Sequence, residues 1–249
     1  MNTLPLTGER TVPGLPEENY WFRRHEVAYR FLLPYVAGDT VLEVGCGEGY
    51  GTDLLADVAR VVIGIDYDAH TVAHAAATYP RAAFARANLA ALPAPSESFD
   101  VVATLQVIEH VWNHREFVDE CRRVLRPGGL FVVTTPNRLT FSPGRTEPLN
   151  PFHTKEFTAA ELAALLTRHG FGDVAIYGLH AGPPLVDLDR VHGGSFVDAQ
   201  LATSPEQWGA RLANDVASVT VDDFAIVAAD DRDVDASLDV VVFARRPEE

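Results

Sequence analysis

The sequence has 249 residues, which is enough for one large α/β domain with a small additional segment but too few for two full domains. Its 20 lysine and arginine residues are outnumbered by 35 aspartate and glutamate residues, and the net charge of −15 argues against nucleic acid or anionic membranes as partners. The chain has two cysteines, no leader-like apolar segment near its start and no apolar run of membrane-spanning length. We therefore expect a cytoplasmic protein without a disulfide framework or membrane insertion.

The N-terminal part is predicted to be an irregular arm followed by a helix. Prolines and glycines are frequent in the first twenty residues, and residues 18–36 have a helical pattern. This helix begins with an aromatic and basic group that includes Tyr20, Trp21 and Arg24. One interpretation is that the aromatic side chains form a hydrophobic staple at the start of the helix. We treat residues 1–37 as one unit.

A glycine-rich stretch at residues 41–51 is the most informative part of the sequence. An apolar run predicts a buried strand, four glycines then let the backbone approach a ligand, and Asp66 ends the next predicted strand. Carboxylates at this position hold ribose hydroxyls in nucleotide-binding α/β folds. The dinucleotide spacing G-x-G-x-x-G fails because Tyr50 stands where the third glycine would be. Glu43, two residues before Gly45, disfavours a phosphate and suits a cationic ligand.

This stretch resembles the first motif, E-x-G-x-G-x-G, of class I S-adenosylmethionine-dependent methyltransferases. The match lies at Glu43, Gly45, Gly47 and Gly49. The resemblance implies S-adenosylmethionine as cofactor, held by residues of the arm helix and of the first four strand ends. The cofactor-binding residues expected on this basis are Tyr20, Trp21, Arg24, Glu43, Gly45, Gly47, Gly49, Asp66, Tyr67, Asn88, Leu89 and Gln106.

Three of these roles have structural alternatives. Arg24 pairs with the methionine carboxylate if the aromatic segment covers the cofactor, but not if that segment is only a staple. Asp66 holds the ribose hydroxyls unless it caps the following helix, for which Asp68 is the better candidate. Asn88 meets the adenine ring unless it is an ordinary loop asparagine.

The elements predicted after residue 38 alternate between strands and helices. The predicted strands lie at 40–45, 60–66, 82–86, 99–106, 129–135, 173–179 and 238–245. The resemblance implies a Rossmann-like α/β fold with helices on both faces of a seven-stranded sheet, ordered 3-2-1-4-5-7-6 with the last strand antiparallel. Residues 38–180 and 237–249 form this expected core. Residues 181–236 are an insertion before the last strand, and their apolar positions predict an ordered lid that binds the acceptor.

Two histidines are candidates for a general base. His153 lies in a polar loop after the fifth predicted strand, at the edge where open α/β sheets bind ligands. A histidine can take the proton of a hydroxyl group near neutral pH. His110, after the fourth predicted strand, is the second candidate. The plainer alternatives are a structural histidine bonded to the backbone for His153 and the start of a helix for His110.

Metal ligands stay unassigned at this point. Oxygen and nitrogen side chains in and next to the insertion could form a site, although no tight ligand spacing supports one. They are His180, Asp187, Asp189, His192 and Asp198. The acidic run 230–235 is expected to be a solvated loop, with Mg²⁺ capture as the alternative.

Four further segments resemble the actinobacterial sugar O-methyltransferases of polymethylated polysaccharide synthesis. They are Leu6–Pro13, Glu18–His25, Thr140–Arg145 and Val191–Ser195. This resemblance implies methylation of a hydroxyl on a mannose- or glucose-based oligosaccharide, for methylmannose polysaccharide or methylglucose lipopolysaccharide. It implies a Mg²⁺ requirement in some members, and it is compatible with a homodimer. The residues expected to bind the acceptor are Arg138, Arg145, Asn150 and His192.

Three other functions stay open. The fold would also suit a nicotinamide-dependent sugar oxidoreductase or epimerase, which the failed glycine spacing disfavours. It would suit a catalytically silent binding module. The same core motifs would also serve an O-methyltransferase of a quinone or another small molecule.

Overall fold

The computed structural model describes residues 11–248, so residues 1–10 of the predicted arm, with the first part of Leu6–Pro13, lie outside the described residues. Eight strands form one sheet: β1 (Thr40–Val44), β2 (Val61–Asp66), β3 (Ala83–Arg86), β4 (Phe99–Leu105), β5 (Leu125–Pro136), β6 (Gly172–Ala181), β7 (Phe224–Ala228) and β8 (Asp239–Arg245). The α-helices in the same range are α1 (Asn19–Val36), α2 (Tyr50–Leu55), α3 (Ala69–Thr78), α4 (His114–Val124), α5 (Arg138–Phe141), α6 (Ala159–Arg168), α7 (Pro183–Val191), α8 (Phe196–Leu201) and α9 (Ala210–Ser218). None of them is long and apolar enough to cross a membrane.

The sheet is mixed, with the strand order β3-β2-β1-β4-β5-β8-β6-β7. The strands from β3 to β5 in this order are parallel neighbours, whereas β8 is antiparallel to both β5 and β6. The predicted seven-stranded sheet and its order are therefore wrong for the sheet as a whole. The difference is β7, which comes from the insertion and pairs antiparallel with β6. This pairing satisfies backbone groups that β6 would otherwise expose at the edge.

Helices cover both faces of the sheet because successive strand residues point to opposite sides. On one face Val102 of β4 and Phe131 of β5 belong to a buried cluster with Phe117 of α4. On the other face Val101 of β4 packs in a second cluster with Leu32 of α1. The parallel strands β1, β2, β4 and β5 are thus fixed side by side, and their carboxyl ends open at one edge of the sheet, where such folds bind ligands.

The insertion is joined to the body of the fold. Phe196 of α8 and Phe224 of β7 pack with Leu179 of β6 and with Tyr20 of α1. The rings of Tyr20 and Phe196 meet edge to face with centroids 5.6 Å apart, an arrangement that adds about 0.5–1.5 kcal/mol beyond the burial of area. The expected lid is therefore partly a sheet strand and partly three helices that pack against the N-terminal helix.

Candidate active site

Two neighbouring cavities open at the carboxyl edge of the sheet. The arm-side cavity, of about 490 Å³, is lined by α1, the glycine stretch and the segment 149–153. The β2-side cavity, of about 1010 Å³, is lined by the ends of β2 and β3. Both share Gly45, Gly47, Gln106 and His110, so they are parts of one cleft.

The glycine stretch forms the turn between β1 and α2. The amides of Gly45 and Cys46 donate to the carbonyl of Ile65, at 2.8 and 2.9 Å, which folds the turn against the end of β2. At Gly45 the backbone φ is +85°, and an added Cβ would lie 2.4 Å from a methyl carbon of Val107. No residue with a side chain fits there. Gly45 and Gly47 face the cleft, whereas Gly49 starts α2 and lies against Ala75 of α3.

Asp66 lies at the end of β2 and faces the β2-side cavity. One carboxylate oxygen accepts from the amide of Gly47 at 3.0 Å, and the other accepts from the amide of Asp68 at 3.0 Å. Asp68 caps α3 by accepting from the amide of Thr71, so the alternative role of helix cap belongs to Asp68. The predicted residues Tyr67, Asn88 and Leu89 line the same cavity. Their contact with a nucleoside stays a prediction.

Glu43 differs from the expectation. Its side chain is fully buried and does not line either cavity, because its two oxygens accept hydrogen bonds from the hydroxyls of Tyr29 and Thr52. Burial raises the pKa of Glu43 to about 7, while the two hydroxyl donors act in the opposite direction. Glu43 therefore supports the glycine turn from behind and makes no direct contact with the cleft.

The aromatic and basic segment of α1 is divided between three roles. Trp21 lines the arm-side cavity, and its contact with a cofactor stays a prediction. Tyr20 points away from it, into the cluster formed with the insertion. Arg24 reaches the cavity wall, but its guanidinium donates to both carboxylate oxygens of Asp239, at 2.7 and 2.6 Å. The predicted pairing of Arg24 with a methionine carboxylate is thus corrected to a buried ion pair between α1 and β8.

His25 is a cleft residue that the sequence did not single out, because a lone histidine in a helical pattern carries no motif. It lines the arm-side cavity, and burial lowers its pKa to about 4. The ring is therefore neutral at physiological pH. Its Nδ1 lies 3.3 Å from the hydroxyl of Thr11.

His153 faces the arm-side cavity and forms a pair with a carboxylate that the sequence did not reveal. Its Nδ1 lies 2.9 Å from Glu156 Oε1, and both side chains are almost fully buried, with 4% and 1% of their area exposed. Since a carboxylate accepts, Nδ1 carries the proton and Nε2 the lone pair. The amide nitrogen of Asn150 donates to Nε2 at 3.1 Å. The structure therefore contradicts the alternative of a purely backbone-bonded histidine.

Glu109 and His110 lie beside His153. The ring centroids of His110 and His153 are 4.9 Å apart, and Nδ1 of His110 lies 3.0 Å from the carbonyl oxygen of Phe152. Glu109 is 1% exposed and accepts from the hydroxyl of Thr135 at 3.0 Å. Burial raises the pKa of Glu109 to about 8. His110 was predicted as the second candidate base, with the start of a helix as the alternative. In the structure Glu109 and His110 belong to a short 3₁₀ turn that faces the cleft.

Three of the four predicted acceptor residues lie elsewhere. Arg138 forms an ion pair with Glu161 at 3.3 Å, and Arg145 is exposed outside both cavities. His192 bonds to Asp215 inside the insertion at 2.8 Å. Asn150 is the one that lines the cleft.

The metal site considered in the insertion does not form within residues 11–248. Its residues do not converge, since His180 is buried on β6 and His192 is occupied by Asp215. The group of three metal-binding side chains found in this range is Glu109, His110 and His153.

Comparison with known proteins identifies the family. A family model described as a methyltransferase domain matches residues 42–133. A protein of Mycolicibacterium smegmatis named as a probable S-adenosylmethionine-dependent methyltransferase is 58% identical over 248 residues, covering 99% of this chain and 96% of the relative. A similarly named protein of Mycobacterium tuberculosis is 57% identical over 247 residues, covering 98% of this chain and 90% of the relative.

More distant relatives share part of the chain or the fold alone. A ubiquinone biosynthesis O-methyltransferase of Agrobacterium fabrum is 34% identical over 122 residues, or 47% of each chain. The crystal structure of a possible histamine N-methyltransferase from Thermotoga maritima has a TM-score of 0.61 and 18% identity, covering 91% of this chain and 92% of that chain. Given the mycobacterial relatives that match it over almost its whole length, the chain belongs to the S-adenosylmethionine-dependent methyltransferases.

Proposed function

We propose that the protein transfers the methyl group of S-adenosylmethionine to a hydroxyl of a mannose- or glucose-based oligosaccharide in polymethylated polysaccharide synthesis. The observation that carries the proposal is the buried pair of His153 and Glu156, which faces the same cavity as Gly45 and Gly47. A hydroxyl acceptor is a weak nucleophile until a base removes its proton, whereas a neutral amine attacks directly through its nitrogen lone pair. Membership of this family indicates S-adenosylmethionine as the cofactor and argues against a nicotinamide-dependent enzyme.

The residues of the cleft fit S-adenosylmethionine. Gly45 and Gly47 leave room beside the strand ends, and Asp66 presents a carboxylate to the β2-side cavity, as ribose hydroxyls require. When bound, this cofactor supplies a methyl group on a positively charged sulfonium. We place its nucleoside in the β2-side cavity and its reactive end beside Gln106, in the part that the two cavities share.

His153 would act on the acceptor. Its Nε2 accepts the hydroxyl proton while the acceptor oxygen bonds to the methyl carbon and the carbon–sulfur bond breaks, leaving a neutral thioether. Glu156 keeps the proton on Nδ1 and balances the positive charge that the ring acquires. The amide of Asn150, which donates to Nε2 in the structure, is placed to bind the incoming hydroxyl instead.

A saccharide suits the rim of the arm-side cavity. Phe141, Leu149 and Phe152 line it, and Phe152 is 45% exposed. The negative face of an aromatic ring attracts the polarised C–H bonds of a sugar face. Polar groups of Asn150 and His153 lie between these apolar side chains, as the alternating hydroxyls and C–H faces of a sugar ring require.

The resemblance in the sequence also implied Mg²⁺. Mg²⁺ prefers an octahedron of oxygen ligands, whereas two of the three donors in the group of Glu109, His110 and His153 are imidazole nitrogens. These donors do not fit Mg²⁺, and no step of the transfer is assigned to it.

The test is methyl transfer from labelled S-adenosylmethionine to a panel of mannosides, glucosides and phenolic quinone precursors, with mass analysis of the products. We expect labelled O-methyl sugars, and we expect His153→Ala to lower turnover about 10²- to 10⁴-fold. Calorimetry with S-adenosylhomocysteine should show unchanged cofactor affinity in this variant. The matched control is His169→Ala, because His169 also pairs with a carboxylate, that of Asp119, but lies outside the cleft.

Two results would contradict the proposal. Equal turnover in His153→Ala and the parent would show that His153 is not the base. Methylation of phenolic acceptors in preference to every saccharide would favour the second candidate, a small-molecule O-methyltransferase, to which the partial similarity to ubiquinone biosynthesis enzymes points.

A further inference from the structure

We propose that Glu109, His110 and His153 form a binding site for a divalent transition-metal ion of the Mn²⁺, Co²⁺ or Zn²⁺ class. The inference shares His153 with the proposed function but does not depend on which acceptor the enzyme methylates. It departs from the expectation of Mg²⁺, because the donor set is one carboxylate and two imidazoles.

The donor atoms are close enough to hold one ion. One ligand atom from each of the three side chains lies within 4.8 Å of the other two. Metal–ligand bonds of about 2.1 Å place neighbouring ligand atoms roughly 3.0 Å apart in an octahedral facial set and about 3.4 Å apart in a tetrahedral one. Side-chain rotations that close the remaining separation of up to about 1–2 Å bring the three atoms onto a common ion.

The surroundings of the three donors are those of a metal site. Metal-binding histidines usually donate their second ring N–H to a carboxylate or a backbone carbonyl. Nδ1 of His153 lies 2.9 Å from Glu156, and Nδ1 of His110 lies 3.0 Å from the carbonyl of Phe152. In both rings this tautomer places the lone pair on Nε2. Glu109 is fixed in the same way, by the hydroxyl of Thr135.

The site is also accessible. All three side chains line the arm-side cavity, so three protein ligands leave coordination positions open toward it, as in facial sites of two histidines and one carboxylate. The amide of Asn150 now donates to Nε2 of His153 and must move away when an ion binds. Since the ion and the proton would use the same lone pair, metal binding and proton abstraction at Nε2 exclude each other.

The test is titration of chelator-treated protein with Co²⁺, followed by its visible absorption and by calorimetry, without cofactor or acceptor. We expect one Co²⁺ per chain, displacement by Zn²⁺ and no displacement by a large excess of Mg²⁺. Glu109→Gln and His110→Ala should each weaken Co²⁺ binding at least about 100-fold, and Glu156→Gln about 10- to 100-fold. Asn150→Ala, which removes the competing donor, should bind Co²⁺ at least as tightly as the parent.

The matched control is His192→Ala, because His192 is a half-buried histidine paired with Asp215 outside the cleft. Its Co²⁺ affinity should equal that of the parent. Co²⁺ binding that survives His110→Ala and the milder His110→Gln, with the fold verified by circular dichroism, would overturn the site. Displacement of Co²⁺ by equimolar Mg²⁺ would overturn the assignment of the metal class. Both outcomes are independent of methyl transfer, so failure of the metal site and failure of the proposed function are distinguished.

Discussion

Glu43 shows how a motif residue can act without touching the ligand. It lies on β1, fully buried, with Tyr29 and Thr52 as hydrogen-bond donors. Burial penalises its charged form, and this raises its pKa to about 7. The Glu43 side chain thus joins α1 and α2 to β1. These contacts hold the glycine turn in place at the cleft.

Glu43 should make stability depend on pH in a defined direction. Between the ordinary value of 4.5 and about 7, the folded protein keeps the carboxyl proton that the unfolded chain releases. Stability therefore falls as pH rises through this window, by up to about 3 kcal/mol. Urea unfolding of Glu43→Gln and the parent from pH 5 to 8 measures the effect. The stability of the parent relative to the variant should decline over this range, whereas Glu116→Gln, at an exposed position, should run parallel to the parent.

Glu156 is predicted to be a positioning residue for His153. Its Oε1 holds the ring nitrogen Nδ1, and its Oε2 is buried without a hydrogen-bond partner. Glu156→Gln keeps an acceptor for the ring but removes the charge, so we expect kcat to fall about 10- to 100-fold with little change in the KM of the cofactor. Glu156→Ala should lose more, because it also frees the ring. Steady-state kinetics with the preferred acceptor measures both.

A matched pair supplies the control for this prediction. Asp119→Asn removes the same kind of charge from His169 at an exposed position and should leave kcat unchanged. If Glu156→Gln behaves like Asp119→Asn, the buried carboxylate has no part in the reaction.

At the scale of elements, α1 packs closely against α2, next to the glycine turn, at Gly51. A Cβ at Gly51, the second residue of α2, would lie 2.1 Å from the ring of Tyr29. The absence of a side chain therefore allows Tyr29 to pass over α2 and reach Glu43. This contact sets the distance of the N-terminal helix from the cleft.

Gly51→Ala should disrupt this contact. The added methyl group displaces the Tyr29 ring and weakens its bond to Glu43, at a cost of about 1–3 kcal/mol in stability. Affinity for S-adenosylhomocysteine should fall as well, since α1 lines the cleft. Gly209→Ala is the control, because its φ is −66° and no atom lies within 4 Å of the added Cβ. Thermal unfolding measures the stability of both variants, and calorimetry measures their affinity for S-adenosylhomocysteine. Equal values for the two variants would show that the close contact at Gly51 limits neither stability nor binding.

Local patterns predicted the elements whose neighbours are near in sequence. The run 40–45 predicted β1, observed as Thr40–Val44, because a buried parallel strand is continuously apolar. The strand β7 (Phe224–Ala228) was missed because only its first residue is buried, and its pairing with β6 decides its conformation. A similar limit applied to the insertion, which was predicted only as an ordered lid and contains the helices α7, α8 and α9.

In the candidate site, too, residues close together in the sequence could be predicted and distant partners could not. Gly45 and Asp66 could be predicted since turn and strand end are adjacent in the motif. The partner of Arg24 could not, because Asp239 is 215 residues away in sequence. Glu156 carried a weak signal, its spacing of three residues from His153, but only the fold buries the two side chains together.

At the scale of the whole molecule, the N-terminal helix α1 contacts the C-terminal part of the chain at three places. Arg24 pairs with Asp239 at the start of β8. The side-chain amide of Asn19 donates to the carbonyls of Val216 and Val219, at 3.0 and 2.8 Å, at the end of α9. Tyr20 packs into the cluster of the insertion. The N-terminal helix, the insertion and the last strand are thus joined by direct contacts, and α1 also lines the cleft.

The ion pair of Arg24 and Asp239 allows a test of these contacts. Both side chains are at most 4% exposed, so Arg24→Ala leaves an unpaired buried carboxylate and should cost about 3–5 kcal/mol. The double variant Arg24→Met/Asp239→Leu removes both charges and should recover most of that loss. Arg190→Ala removes a pair in which both side chains are mostly exposed and should cost no more than about 1 kcal/mol. Urea denaturation measures the three values. If Arg24→Ala costs no more than Arg190→Ala, the first helix is not held to the last strand by this pair, and its other contacts, such as the packing of Tyr20 and the hydrogen bonds of Asn19, hold it in place.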